Sequence, residues 1–263
     1  MLKTSLLAFA ASWNFFVFAN EEITRAEQIS YEWLLEMGTK SGYTDHISHF
    51  HEIFKTFQVR AFLEFGLGYS TKYFLDSCQK VISVEFVTNG SGPGWIKECL
   101  NLYKNHSQWV PIAYFSGYHG DTQWAPYKYV GLDHVYNADA YQCAFHKDYS
   151  LINGAYLNEL DSFITSLTKC YSIDCAFVDP GIYLRGDLVS LLFFKVPVIV
   201  AHDTAPRILK QNADVYGYSR IRTPDAYEEI EIAEGMGTTV WIQKEGSLQG
   251  LIDAMKNYAA QFE

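Results

Sequence analysis

The chain has 263 residues, of which 49% are hydrophobic, 19% charged and 16% aromatic. This length and composition fit one large packed domain, or one domain with a sizeable insertion, and exclude a disordered chain. The formal net charge is -10, and no run of Lys or Arg forms a basic stripe, which argues against a nucleic-acid partner.

The first residues, MLKTSLLAFAASWNFFVFAN, are typical of a secretory signal peptide. A lysine comes first, the following stretch is mostly apolar, and Val17 and Ala19 precede a plausible cleavage point. We expect residues 1–19 to be removed and the mature chain to be secreted, periplasmic or in the lumen of the secretory pathway. An uncleaved chain would be cytoplasmic, and its N-terminus would be a buried helix. No stretch predicts a stable membrane span.

The rest of the chain predicts helices first and then an alternation of strands and helices. Residues 20–57 form a helical segment with helices at 21–38 and 46–57, the first ending at Gly38. The predicted strands are 59–65, 80–86, 109–115, 173–179, 196–202, 215–222 and 238–243. The helices between and after them are 69–78, 94–105, 154–169, 186–194, a short one near 205–211, and 247–261.

This alternation predicts an α/β domain over 58–263, with a mainly parallel seven-stranded sheet and helices on both faces. In such sheets ligands bind at the carboxyl ends of the strands. An insertion at 116–153, after the third strand, interrupts the pattern and carries six tyrosines. We interpret it as an aromatic lid over a substrate site, with a structural elaboration on the surface as the alternative.

The first predicted strand ends in a glycine turn, FLEFGLGYSTKYF, that leads into a helix. Gly66 and Gly68 allow a sharp turn and let a ligand approach the backbone, and Ser70 lies where free helical N–H groups begin. Glu85 ends the next strand, where an acid commonly accepts hydrogen bonds from the hydroxyls of a ribose. A ribose-bearing ligand is therefore expected. Glu64, directly before the turn, would repel a pyrophosphate but suits a cationic ligand.

These residues resemble the first two motifs of the class I S-adenosylmethionine-dependent methyltransferases. Glu64-Phe65-Gly66-Leu67-Gly68 matches the acid-x-Gly-x-Gly motif, and Glu85 matches the acid of the second strand. The resemblance implies a Rossmann-like methyltransferase fold that binds S-adenosyl-L-methionine. It implies that the two glycines and Ser70 border the cofactor, that Glu64 lies near its amino acid end, and that the backbone at Phe86 borders the adenine. Asp121 is a further candidate on the adenine side.

Three residues at later strand ends are candidates for the chemistry. Asp179 follows the fourth strand, and His202 and Asp203 end the fifth, so all three should face the cofactor crevice. His202 is the candidate general base for an oxygen or nitrogen acceptor, with a structural histidine as the alternative. Asp179 and Asp203 also match the acids that hold Mg²⁺ in related small-molecule O-methyltransferases, although Thr204 stands where those enzymes have Asn.

The sequence thus predicts S-adenosylmethionine-dependent methylation of a small molecule, more at oxygen than at nitrogen. Export conflicts with this, because the cofactor is made in the cytosol. The first alternative is an exported, non-catalytic ligand-binding protein with the same fold. The second is a nicotinamide-dependent oxidoreductase, which Glu64 and the missing third glycine of a GxGxxG motif disfavour.

Overall fold

The computed structural model describes residues 26–87, 93–115, 154–180, 185–205 and 216–262. The α-helices of these ranges are α1 (Tyr31–Ser41), α2 (His46–Thr56), α3 (Thr71–Ser77), α4 (Pro93–Tyr103), α5 (Gly154–Tyr171), α6 (Arg185–Leu192) and α7 (Gln249–Ala259). The strands are β1 (Ala61–Phe65), β2 (Lys80–Val87), β3 (Trp109–Phe115), β4 (Cys175–Val178), β5 (Val198–His202), β6 (Tyr227–Ile232) and β7 (Thr238–Gln243). Short 3-10 helices span Ala26–Gln28, Tyr218–Arg220 and Gly246–Leu248.

The strands form one seven-stranded sheet in the order β3-β2-β1-β4-β5-β7-β6. The pairs β1–β2, β1–β4, β2–β3 and β4–β5 are parallel, and β7 is antiparallel to both β5 and β6. The chain order reverses between β1 and β4, and the crevice above such a reversal is where open α/β sheets bind ligands. This arrangement confirms the predicted Rossmann-like α/β fold with a mainly parallel seven-stranded sheet.

Helices cover both faces of the sheet because the strands are apolar on both sides. Along β1, Phe62 belongs to one buried layer, while Leu63 and Phe65 belong to the other, as the two-residue repeat of a strand requires. The first layer packs against α2, α3, α4 and α7, and the second against α5 and α6. Glu64 lies on the same face of β1 as Phe62, and it is also buried.

The first helix ends later than the sequence predicts. Gly42, with a φ of 76°, ends α1 and donates its N–H to the carbonyl of Gly38. Gly38 lies inside the helix, where a Cβ would come within 2.8 Å of the backbone nitrogen of Asp45. The prediction that Gly38 ends the helix was therefore wrong, because its role is to let α1 pass closely over the start of α2.

The sixth strand also lies elsewhere than predicted. Residues 215–222 include the 3-10 helix Tyr218–Arg220, and the strand is the following YEEIEI segment of β6. Three glutamates disfavour a strand by propensity. In β6, however, Tyr227, Ile230 and Ile232 are buried, Glu229 and Glu231 are exposed, and Glu228 is half-buried. β6 lies at the edge of the sheet, where exposed charges discourage pairing with other chains.

Several sequence predictions lie outside the described residues. These are the signal peptide at 1–19, the aromatic insertion at 116–153 with Asp121, and most of the short helix near 205–211. Among the described helices, none combines the length and the apolar character needed to cross a membrane.

Candidate active site

The glycine turn follows β1 and packs against the end of β4. Gly66 has a φ of 97°, and a Cβ there would lie 2.3 Å from the carbonyl oxygen of Asp179. The neighbouring backbone is tied together as well, since the N–H of Asp179 donates to the carbonyl of Phe65 at 2.9 Å. Gly68 is less crowded, because a Cβ there would make only an ordinary contact, with the Trp95 ring at 3.9 Å. Gly66 therefore permits the close approach of two strand ends, and Gly68 leaves one side of the turn clear.

Glu85, near the end of β2, reaches across to this turn. Its Oε2 accepts a hydrogen bond from the backbone N–H of Leu67 at 3.0 Å. On the other side, the Trp95 indole N–H donates to the carbonyl of Leu67 at 2.6 Å. Burial raises the pKa of Glu85 to about 8, against the lowering effect of the Leu67 hydrogen bond. The turn is thus held in place between β2 and α4, with an acid at its side.

Glu64 lies beneath the turn, with its side chain fully enclosed. Its carboxyl accepts hydrogen bonds from the hydroxyls of Thr71, at 2.6 Å, and Ser83, at 2.9 Å. The Thr71 hydroxyl oxygen in turn accepts the backbone N–H of Gly68 at 3.0 Å. Glu64 therefore shapes the turn through Thr71, and it is 1% exposed.

The buried position of Glu64 gives stability a specific dependence on pH. Burial raises the pKa of Glu64 from its ordinary value of 4.5 to about 8, with the two hydroxyl hydrogen bonds opposing the rise. Between these values the folded state keeps a proton that the unfolded state releases. The free energy of unfolding should therefore fall as the pH rises through this window, by up to about 1.4 kcal/mol per pH unit.

Denaturant titrations at several pH values would measure this effect. Glu64→Gln should flatten the slope between pH 5 and pH 8 relative to wild type (a window of ~3 units). Glu36→Gln changes an exposed carboxylate that pairs with Lys40, and should keep the wild-type slope. Equal slopes for the wild type and Glu64→Gln would show that Glu64 ionises in the fold as it does in water.

Two other predicted cofactor neighbours have different surroundings. The Ser70 hydroxyl is buried and lies 2.9 Å from Nε2 of His46, so this side chain faces α2. The Phe86 side chain is buried against the rings of Phe65 and Tyr114. Its backbone alone can then border a ligand, as the resemblance implies.

A second group of residues lies where β4 and β5 end, and we call it the charge cluster: Asp45, Asp179, Arg185, His202 and Asp203. Nε2 of His202 is 2.5 Å from Oδ1 of Asp45, and its Nδ1 is 3.6 Å from a carboxylate oxygen of both Asp179 and Asp203. Asp203 has a φ of 61°, in the left-handed region that few residues other than glycine adopt. Such strained backbone is commonly found at functional sites.

Arg185 is the second cation of the charge cluster. Its Nη1 lies 2.7 Å from Oδ1 of Asp179 and 2.8 Å from Oδ2 of Asp203. Its Nε donates to the carbonyl of Pro180, and the Tyr216 ring lies 4.0 Å from the guanidinium carbon. The Arg185 side chain is thus buried with both acids as partners.

The opposite charges of the charge cluster stabilise one another in their ionised forms. Burial would lower the pKa of His202, but the carboxylates of Asp203, Asp179 and Asp45 outweigh it and raise this pKa well above its ordinary value. Burial would raise the pKa of Asp179, but Arg185 and His202 outweigh it and hold this pKa well below the usual range. A histidine held protonated in this way does not accept a proton, so the predicted general-base role does not fit the arrangement of His202.

The predicted magnesium site does not fit either. Asp179 and Asp203 do come together, as the sequence predicts, but the guanidinium of Arg185 is bonded to both carboxylates. Thr204 provides a hydroxyl that accepts a hydrogen bond from Thr239 at 2.8 Å, in place of the expected Asn amide. A second cation at this position would face the positive charge of Arg185 at close range.

Asp45 and Arg185 are the members of the charge cluster that the sequence did not reveal. Asp45 lies in the turn between α1 and α2, and its Oδ2 also accepts the backbone N–H of Met236 at 2.9 Å. The distance along the chain from Asp45 to His202 is 157 residues, so no spacing pattern connects them. The helical segment at 20–57, predicted as a separate N-terminal addition, therefore contributes directly to the site.

The chain resembles solved methyltransferase structures. It is 12% identical to a methyltransferase from Podospora anserina with S-adenosylhomocysteine bound, with a TM-score of 0.46, covering 90% of this chain and 96% of that one. It is also 12% identical to an O-methyltransferase from Bacillus cereus in complex with S-adenosylhomocysteine, with a TM-score of 0.46, covering 89% and 97%. No protein-family model matches the sequence, and a comparison with curated proteins finds no match.

Proposed function

We propose that the protein is an S-adenosylmethionine-dependent methyltransferase that acts on a small molecule, at an oxygen atom. The observation that carries this proposal is the position of Glu85, an acid at the end of β2 that is hydrogen-bonded to the glycine turn at Leu67. In Rossmann-like folds an acid at this place accepts the hydroxyls of a ribose. The open side of Gly68 provides room for the rest of the ligand.

The charges around the crevice favour a cationic ligand over a pyrophosphate. The backbone of Asp179 lies directly beside Gly66, and Arg185 and His202 keep its carboxylate ionised against the effect of burial. The three carboxylates of the charge cluster outnumber its two cations, so the cluster attracts a sulfonium and an amino group and repels phosphate. S-adenosylmethionine fits this pattern, and a nicotinamide dinucleotide does not.

Methyl transfer from a sulfonium is a displacement, so much of its acceleration comes from holding the acceptor in line with the methyl group. We assign Asp179, His202 and Asp203 to the wall of the acceptor side, since they end β4 and β5 next to the glycine turn. In this proposal the three side chains and Arg185 form a rigid charged surface that orients the acceptor. The site requires no magnesium at Asp179 and Asp203.

The leading alternative is a non-catalytic ligand-binding protein of the same fold. Export of the mature chain after cleavage near Ala19 would favour it, because an exported enzyme needs its cofactor delivered. The charge cluster leaves His202 without the basic form that general-base catalysis requires, which also suits a binding role.

Melting curves with candidate ligands would test the proposal and separate these functions. S-adenosylmethionine and S-adenosylhomocysteine at about 100 times their dissociation constants should each stabilise the fold by about 2.7 kcal/mol, and NAD should not. Stabilisation by both adenosyl ligands without methylation of any small-molecule acceptor would favour the binding protein. Stabilisation by NAD alone would overturn the choice of cofactor.

A further inference from the structure

The charge cluster borders a buried histidine with one ring nitrogen unused. His46, at the start of α2, is 1% exposed, and its Nε2 lies 2.9 Å from the hydroxyl of Ser70. Its Nδ1 is buried and has no hydrogen-bond partner within the part of the chain that the structure describes. A buried polar atom without a partner lowers the stability of the fold, so we expect this nitrogen to bind a ligand.

His46 belongs to a group of three potential metal ligands. One ligand atom each from Asp45, His46 and His202 lie within 4.8 Å of one another. The rings of His46 and His202 are 4.8 Å apart at their centres, and they meet edge to face. Two imidazoles and one carboxylate, with an open fourth position, are the donors typical of zinc and related transition ions, whereas magnesium prefers oxygen alone.

The atoms around these three ligands are arranged as in a metal site. A metal-bound histidine usually donates its other N–H to an oxygen, which fixes the ring. Ser70 is such a partner for His46, and the carboxylates of Asp179 and Asp203 face Nδ1 of His202. Oδ2 of Asp45 accepts the backbone N–H of Met236, and this hydrogen bond orients the carboxylate.

The net charge of the charge cluster also favours a bound cation. Asp45, Asp179 and Asp203 contribute three negative charges, and Arg185 offsets one of them. In the metal-free protein the protonated His202 offsets a second charge; once the ion displaces this proton, both imidazoles are neutral and two negative charges remain in a largely buried group, and buried charges need partners. A divalent cation would neutralise both.

We propose that Asp45, His46 and His202 bind a divalent transition ion such as Zn²⁺. The ion displaces the proton that His202 shares with Asp45, these two side chains separate to admit it, and it gives Nδ1 of His46 a partner. This site is separate from the magnesium position predicted at Asp179 and Asp203, because it lies on the Asp45 side of the His202 ring. It does not depend on methyl transfer.

Metal binding can be measured directly on the full chain without any cofactor. Protein freed of metal with a chelator would be titrated with Zn²⁺ by calorimetry and with Co²⁺ by visible absorption. A Cys170→Ser background removes the thiol that is exposed among the described cysteines. One ion per chain should bind, with the absorption bands of cobalt bound to nitrogen and oxygen. His46→Ala should weaken binding at least about 100-fold, as the loss of one of three ligands implies.

His51→Ala provides the matched control, because His51 lies on the same helix but bonds to Tyr73. It should bind both ions like the wild type. If His46→Ala fails to fold, Asp45→Asn keeps the size of the side chain and should weaken binding in the same direction. Absence of binding to the wild type, or equal loss in the His46 and His51 variants, would overturn the proposal and leave the proposed methyl transfer unaffected.

Discussion

Replacing Gly66 with alanine is expected to lower the free energy of unfolding by about 3–5 kcal/mol. Two costs combine in this variant. Alanine is strained at a φ of 97°, and its Cβ would lie 2.3 Å from the carbonyl oxygen of Asp179. That oxygen belongs to backbone tied to β1, since the Asp179 N–H donates to Phe65, so it cannot simply rotate away.

Gly68→Ala is the matched comparison, two residues along the same turn. Its Cβ would meet only the Trp95 ring at 3.9 Å, an ordinary contact. Its stability should therefore stay within about 0.5 kcal/mol of wild type. Denaturant unfolding of both variants would measure the difference. Similar stabilities for the two variants would mean that β1 and β4 do not meet at Gly66 as described.

Arg185→Met is expected to destabilise the fold by about 3–5 kcal/mol, the usual result of removing one partner from a buried ion pair. Methionine keeps much of the volume and removes the charge. Asp179 and Asp203 would then share only His202 as a cationic neighbour among the described residues. The carbonyl of Pro180 would lose the Nε hydrogen bond as well.

Arg60→Met changes an ion pair of similar length in a different environment. Arg60 pairs with Asp174 at 3.0 Å, but its side chain is 67% exposed. The expected loss is therefore only about 0–1 kcal/mol. Chemical denaturation of both variants at neutral pH provides the comparison. A loss for Arg185→Met no larger than that for Arg60→Met would contradict the buried, paired arrangement of the charge cluster.

The parts of the fold that local sequence pattern controls were predictable. The first five strands and the glycine turn follow from apolar runs that end in Gly or an acid, as at Glu64 to Gly68. β6 was misplaced because three of its six residues are glutamates, which disfavour a strand, and the strand is explained by its pairing with β7. The end of α1 was misplaced because Gly38 serves a contact with Asp45, which is a tertiary feature.

The sequence predicted the residues of the candidate site only where the ends of neighbouring parallel strands bring them together. Asp179, His202 and Asp203 could be placed together because β4 and β5 are neighbours and parallel. Arg185 and Asp45 could not, since they reach these residues from a helix and from a distant turn. Their presence changes the chemistry, because Arg185 takes the place expected for magnesium and Asp45 helps to keep His202 protonated.

The central claim, that an adenosyl ligand binds between the glycine turn and Glu85, is tested most directly by calorimetry with S-adenosylhomocysteine. Wild type should bind one equivalent. At pH 9, above the pKa of about 8 where Glu85 is ionised, Glu85→Gln should bind about 10–100-fold more weakly, because hydrogen bonds to a charged group contribute about 1.5–3 kcal/mol. Glu36→Gln, on the exposed side of α1, should bind like the wild type. No heat of binding in the wild type, or equal affinity in the wild type and Glu85→Gln, would contradict the account.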